Sequence, residues 1–253
     1  MTVSAVAERV RELYGDDLLE DGGVVQVSSA WRDAQGGLRS LRIGPHAPRS
    51  ETDGFVLALA RARADVIVTT GQILRHEPRL QHRIESEPAL DLLAWRRDRL
   101  GRTEPPRVAI LTSGRSIDWD HPVFSGPSPV LLFTHESQEK RLSEAARGRN
   151  VEVIGSEAPS LHALLQWGVA GGAARTITLE VGPSSLASMS SEGSLAGSIH
   201  EWMLSVYLSP SVSERALGDP WPDLSDAHHG GLRLRTEHRL EEESGAWAFQ
   251  RFR

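Results

Sequence analysis

The feature that most constrains this chain is a repeated switch between two hydrophobic periods. Val24 to Ser29, Asp65 to Thr70, Arg107 to Leu111, Val130 to Thr134, Val151 to Ile154 and Thr176 to Glu180 are short apolar runs of strand type. Most of the intervals between them carry helical spacing: about Thr52 to Ala64, about Glu87 to Leu100 entered through Ser86 and Pro88, Ser137 to Arg147, and Ser160 to Trp167 with Gly168 placed to cap its end. Val3, Val6, Val10 and Leu13 recur at the same spacing, with Thr2 and Ser4 available as caps, so the chain opens with an amphipathic helix. Strands that alternate with helices this way form a parallel sheet covered on both faces. The last part of the chain breaks the pattern. Glu201 to Leu208, Leu232 to Leu240 and Ala246 to Phe252 are strand-like, and a short turn through Ser244 and Gly245 joins the last two as an antiparallel hairpin. The expected fold class is therefore α/β, a mainly parallel twisted sheet with helices on both faces and a C-terminal antiparallel hairpin.

No repeat or low-complexity linker interrupts the 253 residues, so the expectation is one domain over residues 1–253, with 1–20 as an N-terminal helical extension. Two stretches read as loop: Trp31 to Arg49, rich in Gly and Pro, and Gly71 to Leu80, with room for one helical turn. Twenty-eight basic against 34 acidic residues give a net charge of -6, which argues against a nucleic-acid partner. Lys140 is the one lysine, so nearly every cationic contact falls to arginine, whose planar fork suits phosphate and carboxylate. Without cysteine there are no disulfides, thiolate nucleophiles or cysteine zinc sites, and no metal is expected. Met1 to Leu19 holds acidic residues and no continuous apolar run, so it is expected to be neither a secretory signal nor a membrane span, with the cytoplasm as the default compartment.

Four places carry candidate chemistry. Thr69 to Arg83 follows the Asp65 strand directly, and ligands of open α/β sheets bind beyond the carboxyl ends of strands. Gly71 there would admit a phosphate, with Arg75, Arg79 and Arg83 to neutralise it, although a polar surface loop accounts equally for the spacing. Glu180 to Leu186, E-V-G-P-S-S-L, reads as strand, glycine and helix start. Backbone N–H groups and the Ser184 and Ser185 hydroxyls suit a diphosphate, and a plain Gly-Pro turn is the alternative. The motif is neither a Walker loop nor a G-x-G-x-x-G fingerprint. Adjacent His228 and His229 point opposite ways on an extended segment and read as solvated turn residues before Gly230 and Gly231. Ser113 and the serines of 184–191 lack a G-x-S-x-G elbow and a clear histidine base, so a serine hydrolase is rejected.

Taken in order, these pieces resemble the reductase domain of the riboflavin-biosynthesis deaminase-reductases, which has a dihydrofolate reductase-like fold. The resemblance runs from about Val24 to the C-terminus. L-A-R-A-R-A-D-V-I-V, Leu59 to Val68, is similar to the family's Leu-Arg-Ala helix end and Asp-Ala-Val strand, and Gly71 to Arg83 to its Gly-Thr-Val-x-x-Asp-Asp-Pro-x-Leu-Thr-x-Arg stretch. Arg107 to Ser113 and Pro129 to Thr134 resemble its next two strands. E-V-G-P-S-S-L resembles its Glu-Gly-Gly-Pro-x-Leu block, and Ile199 to Trp202 with Leu208 to Pro210 its late strand.

The resemblance implies NADPH as cofactor and hydride transfer to C1′ of a ribosylamino-pyrimidine 5′-phosphate. It puts Gly71, Gln72, His76, Ser113, Gly182, Pro183, Ser184, Ser185 and Leu186 on the cofactor, and Arg61, Leu80, Arg83 and Glu180 on the substrate, with Glu180 also the catalytic carboxylate and Arg83 holding the phosphate. It further implies a homodimer. The departures are specific: Val27 to Asp33 stands where the family has Ser-Leu-Asp-Gly, Gln72 where it has threonine, His76 and Glu77 where it has an Asp-Asp pair, Val181 where it has glycine and His200 where it has aspartate. The zinc deaminase domain is missing, so no deaminase activity is expected. Two other readings stay open on the sequence: a reductase of another heterocycle in the same fold, and a binding or regulatory homologue without turnover.

Overall fold

The computed structural model describes residues 3–15, 22–42, 44–84, 88–170, 174–191, 198–221 and 232–253. The His228–His229 pair lies outside these residues.

One sheet organises the described residues. Its path runs β10 (Leu234–Glu242), β11 (Gly245–Phe252), β8 (Glu201–Tyr207), β1 (Gly23–Arg32), β7 (Thr176–Leu179), β3 (Val66–Thr70), β4 (Arg107–Leu111), β5 (Val130–His135) and β6 (Val151–Ser156). From β8 to β6 every pairing is parallel, and β11 joins β8 antiparallel. β10 and β11 form the hairpin expected from the Ser244–Gly245 turn, and Gly245 has a φ of 123°, a conformation that only glycine takes freely.

Side chains alternate across this sheet. Val24, Trp202, Leu204, Val206 and Ala248 pack on one face with α6 (Leu161–Ala170) and α7 (Pro183–Ser191). Val25, Val27, Met203, Tyr207, Trp247 and Phe249 pack on the other with α1 (Val3–Tyr14), α2 (Glu51–Arg63) and α4 (Pro88–Leu100). The period-two alternation of β1, β8 and β11 thus buries both faces. The opening helix buries Val6, Val10 and Leu13 in the second of these cores, as its spacing predicts. A smaller cluster, Leu74, Val108, Ile110, Phe124 and Leu132, joins α3 (Gly71–His76) to β4 and β5 (α5, Glu136–Ala145, follows β5).

Three expectations are corrected. The stretch 31–49 is not loop throughout: Leu38 to Leu41 forms β2, antiparallel to β1, and pairs in turn with β9 (Leu217–Pro220). Gly71 to His76 is helix α3, longer than the single turn expected within that loop, and is started by Thr70, whose hydroxyl accepts from the Ile73 N–H at 3.3 Å. Gly168 does not cap α6, which continues to Ala170.

Candidate functional site

A cavity of about 730 Å³ opens beyond the carboxyl ends of β3 and β7 and along β1. Segments far apart in the chain build it, among them the β2–α2 stretch with Leu41, Asp53 and Leu57. Val27, Ser28 and Ser29 come from β1; Gln72, Ile73, His76, Glu77 and Leu80 from α3 and the residues after it; Glu180 to Ser185 from the β7–α7 turn; and Trp221 and Trp247 from the late segments. A second cavity of about 330 Å³, lined by Gly71, Arg75, Leu111, Thr112 and Ser113, shares Thr70 and Gln72 with the first. The two cavities therefore adjoin at the end of β3.

The deep wall carries a charge cluster. Arg61, on the last turn of α2, grips Glu180 with both ends of its fork, Nε to Oε1 at 2.7 Å and Nη2 to Oε2 at 2.8 Å. Its Nη1 donates to the carbonyls of Gln81 and Arg83 at 3.1 and 3.0 Å. Burial alone would raise the Glu180 carboxyl, but the Arg61 charge and hydrogen bonds outweigh it and hold the group below the usual carboxylate range. Glu180 is thus an anion at neutral pH and has no proton to give.

Glu77 behaves oppositely. Burial, and then the charge of Glu180, push its carboxyl up to about 7. Its Oε2 is buried without a hydrogen-bond partner in the described structure, while its backbone carbonyl accepts from His121 Nε2 at 3.2 Å. The Val123 N–H donates to His121 Nδ1, which fixes the tautomer that puts the proton on Nε2. His82 lies between, its Nε2 3.7 Å from Glu180 Oε2. Burial lowers its pKa to about 4, so the ring is neutral, and neither ring nitrogen has a hydrogen-bond partner. Two carboxylates facing one cavity, one ionised and one titrating near neutrality, form the unit most suited to chemistry.

The structure brings most of the residues selected from the sequence together. Gln72, His76, Leu80, Glu180, Gly182, Pro183, Ser184 and Ser185 line the larger cavity, and Gly71, Gln72 and Ser113 the smaller. Three lie elsewhere. Leu186 is fully buried in the core beneath α7 and does not reach the cavity. Arg61 acts behind Glu180, outside the lining. Arg83 is exposed and lines neither cavity.

Gly71 has a packing role, since a Cβ there would stand 2.9 Å from Thr112 Oγ1. Gly182 differs, because an added Cβ meets nothing within 4 Å. In the β7–α7 turn Pro183 has no N–H and the Ser185 N–H closes on the Gly182 carbonyl at 3.1 Å. The cradle for an anion therefore narrows to the N–H groups of Gly182 and Ser184 with the two serine hydroxyls. No acidic residue occupies the first turn of α7, so this donor set fits a diphosphate.

Sequence reasoning passed over Asp53, which lines the cavity from the first turn of α2 and accepts from Ser29 Oγ at 2.8 and 3.0 Å. Burial raises its carboxyl above the usual value. The signal present was S-E-T-D, a helix start in which Ser50 Oγ accepts from the Asp53 N–H at 2.8 Å. It marks a cap and says nothing about a cavity.

No protein-family model matches the sequence, and no curated protein matches it either. Solved structures do. A pyrimidine reductase-like protein from Corynebacterium diphtheriae superposes with a TM-score of 0.64 at 20% identity, covering 97% of this chain and 98% of that one. The chain has the fold of these reductases. Acinetobacter baumannii RibD gives 0.61 at 12% identity, and the chain spans 62% of its length. The Saccharomyces riboflavin biosynthesis reductase Rib7 gives 0.55 at 11% identity over 98% of this chain and 99% of that one. The fold is thus that of the pyrimidine reductases, as the motif order suggests. Among the described residues no helix is long and apolar enough to cross a membrane, and no cluster of His, Asp and Glu suits a metal ion.

Proposed function

We propose that this chain is an NADPH-dependent reductase of a phosphorylated ribosylamino-pyrimidine, adding hydride to C1′ of the ribose. The observation that carries the reading is that the Gly182–Ser185 helix start and the Glu77–Glu180 pair line one cavity, which adjoins a second at Thr70 and Gln72. Bound NADPH supplies the hydride. The chain's own residues do the rest. The α7 N-terminus, with Ser184 and Ser185, holds the diphosphate. Gln72, at the junction of the two cavities, donates and accepts on the ligand that passes from one to the other. Glu180, fixed by Arg61, presents a permanent negative charge where the substrate develops positive character. Glu77 holds a proton on a carboxyl that is half ionised near neutral pH, the protonation state a general acid needs. Apolar walls from Leu57, Trp221 and Trp247 exclude water from the reacting atoms.

The test is direct. Purified protein is titrated with NADPH and with NADH while tryptophan fluorescence is followed, Trp221 and Trp247 being the reporters in the cavity. Consumption of NADPH is then measured with the ribosylamino-pyrimidine phosphate. Saturable quenching and substrate-dependent oxidation are expected; protein that binds neither nucleotide ends the reductase reading. The same reading expects a homodimer, which sedimentation at several concentrations checks, a monomer throughout contradicting it.

A further inference from the structure

The cavity mouth holds two arginines that none of the chemistry above uses. Arg42, just past β2, and Arg49, just before the α2 cap Ser50, both line the larger cavity. Both are exposed, and neither has an ion-pair or side-chain hydrogen-bond partner among the described residues. The contrast with the other arginines of this region is plain, since Arg39 donates to the Gly218 carbonyl and pairs with Glu214 at 3.7 Å, and Arg61 is committed to Glu180. The backbone of Arg42 is pinned, its N–H donating to the Ala216 carbonyl at 2.8 Å, so the side chain starts from a fixed base. Asp219 on β9 is the acidic residue of the same rim. Deeper in the cavity, Glu180 is already paired with Arg61, and Asp53 accepts from Ser29 Oγ.

We infer that Arg42 and Arg49 form the site for the phosphate monoester of the substrate, at the mouth of the large cavity. This rests on the reductase reading only for the rest of the substrate; the phosphate site stands on the two side chains. Two guanidinium forks on one cavity rim recognise a tetrahedral dianion in a bidentate manner, which a lone surface arginine does not. The placement also sets direction. With the phosphate at the mouth and the Glu77–Glu180 pair at the deep wall, the sugar between them carries its reacting carbon toward the carboxylates. Arg83, exposed and outside the lining, has no part in it.

The experiment uses the full chain and ribose 5-phosphate as probe, followed by tryptophan fluorescence and by titration calorimetry, with ribose as the uncharged control. Arg42→Gln and Arg49→Gln, singly and together, remove charge from exposed side chains that make no hydrogen bond or ion pair among the described residues, so the fold is expected to persist. Each single variant is expected to weaken ribose 5-phosphate about tenfold, and the double variant more, as for a charge-assisted contact. Ribose should bind poorly and equally to all of them. Wild-type protein that ignores ribose 5-phosphate at millimolar concentration overturns the proposal, as does unchanged affinity in the double variant. A loss that appears instead in Arg83→Ala also overturns it. The other source of a phosphate monoester is the 2′-phosphate of NADPH: a double variant that loses its NADPH-over-NADH preference while keeping ribose 5-phosphate places the pair on the cofactor and overturns the substrate assignment. Protein that binds ribose 5-phosphate through the pair but no nicotinamide nucleotide leaves this site standing and defeats the reductase reading.

Discussion

Two arginines on the last turn of α2, two residues apart, meet two glutamates in opposite surroundings. Arg63 pairs with Glu201 at 2.9 and 3.0 Å, Arg251 adds a third contact at 3.2 Å, and all three side chains are buried inside the protein. Arg61 pairs with Glu180 just as tightly, but that carboxylate faces a cavity and sits beside His82 and Glu77, whose buried polar atoms have no partner. Both glutamates are held below the usual carboxylate range, burial opposing and arginine prevailing in each case. The same pairing thus serves two ends. A network closed on itself fixes the α2–β8–β11 packing, whereas one open to ligand space fixes a charge for use.

The largest expected effect comes from breaking the closed network. Glu201→Gln leaves two buried guanidiniums without their counter-charge and should cost about 3–5 kcal/mol of stability, read by urea denaturation. Glu180→Gln should cost clearly less, because Arg61 keeps the Gln81 and Arg83 carbonyls and the carboxyl position reaches the cavity. On the proposed function it should lower NADPH turnover about a hundredfold. Equal destabilisation by the two variants, with turnover retained in Glu180→Gln, would erase the distinction.

The next effect sharpens the comparison through pH. His82 titrates at about 4 in the folded protein because burial disfavours its charge, against about 6.5 in an unfolded chain. Between those values the unfolded state binds more protons, so stability rises with pH across that window and is lost as pH falls through it, by on the order of 3 kcal/mol. His82→Phe removes no hydrogen bond of the ring and should flatten the slope; an unaltered slope would show that the ring is not buried neutral. Glu77 acts with the opposite sign. Its folded value of about 7 lies above the ordinary 4.5, so its contribution is favourable at low pH and is lost as pH rises toward 7. Glu77→Gln should therefore gain melting temperature relative to wild type as pH increases from 4.5 to 8. The fall in turnover above pH 7 expected of the wild type should disappear in that variant, and if the limb persisted the acid would be another group.

The fold was legible where information is local. Short apolar runs at Val24, Asp65, Arg107, Val130 and Thr176 and helical spacing between them needed only neighbouring residues, and each became an element. β2 and β9 were not legible, because Leu38–Leu41 is four residues inside a Gly- and Pro-rich stretch and its partner Leu217–Pro220 stands far along the chain. The site divides the same way. The turn after Glu180 and the segment after Thr70 could be found because each carries its own glycine, cap and carboxyl. Asp53, Arg42, Arg49, Trp221 and Trp247 meet those turns only through the folded sheet. Which of Arg61 and Arg63 faces ligand space was equally hidden, since both lie in one L-A-R-A-R-A run and only the neighbours of Glu180 and Glu201 tell them apart.

The smallest expected effect on stability falls on Gly182, at the open end of the comparison. The residue stands just before Pro183 at the start of α7, its carbonyl taking the N–H groups of Ser185 and Leu186 at 3.1 and 3.4 Å. It is not among the glycines with positive φ, so a side chain there brings no backbone strain. A Cβ at this position meets nothing within 4 Å, so no neighbour has to move. Gly182→Ala should change stability by no more than about 1 kcal/mol, the difference between the two residues at a helix N-cap. What the added atoms do fill is the space beside the Gly182 and Ser184 N–H groups, where the diphosphate is proposed to lie. Gly182→Val should accordingly melt near wild type yet bind NADPH at least tenfold more weakly, with ribose 5-phosphate unaffected. Were Gly182→Val to bind NADPH with wild-type affinity, the diphosphate would not lie against this turn, and the second cavity around Ser113 would have to hold it.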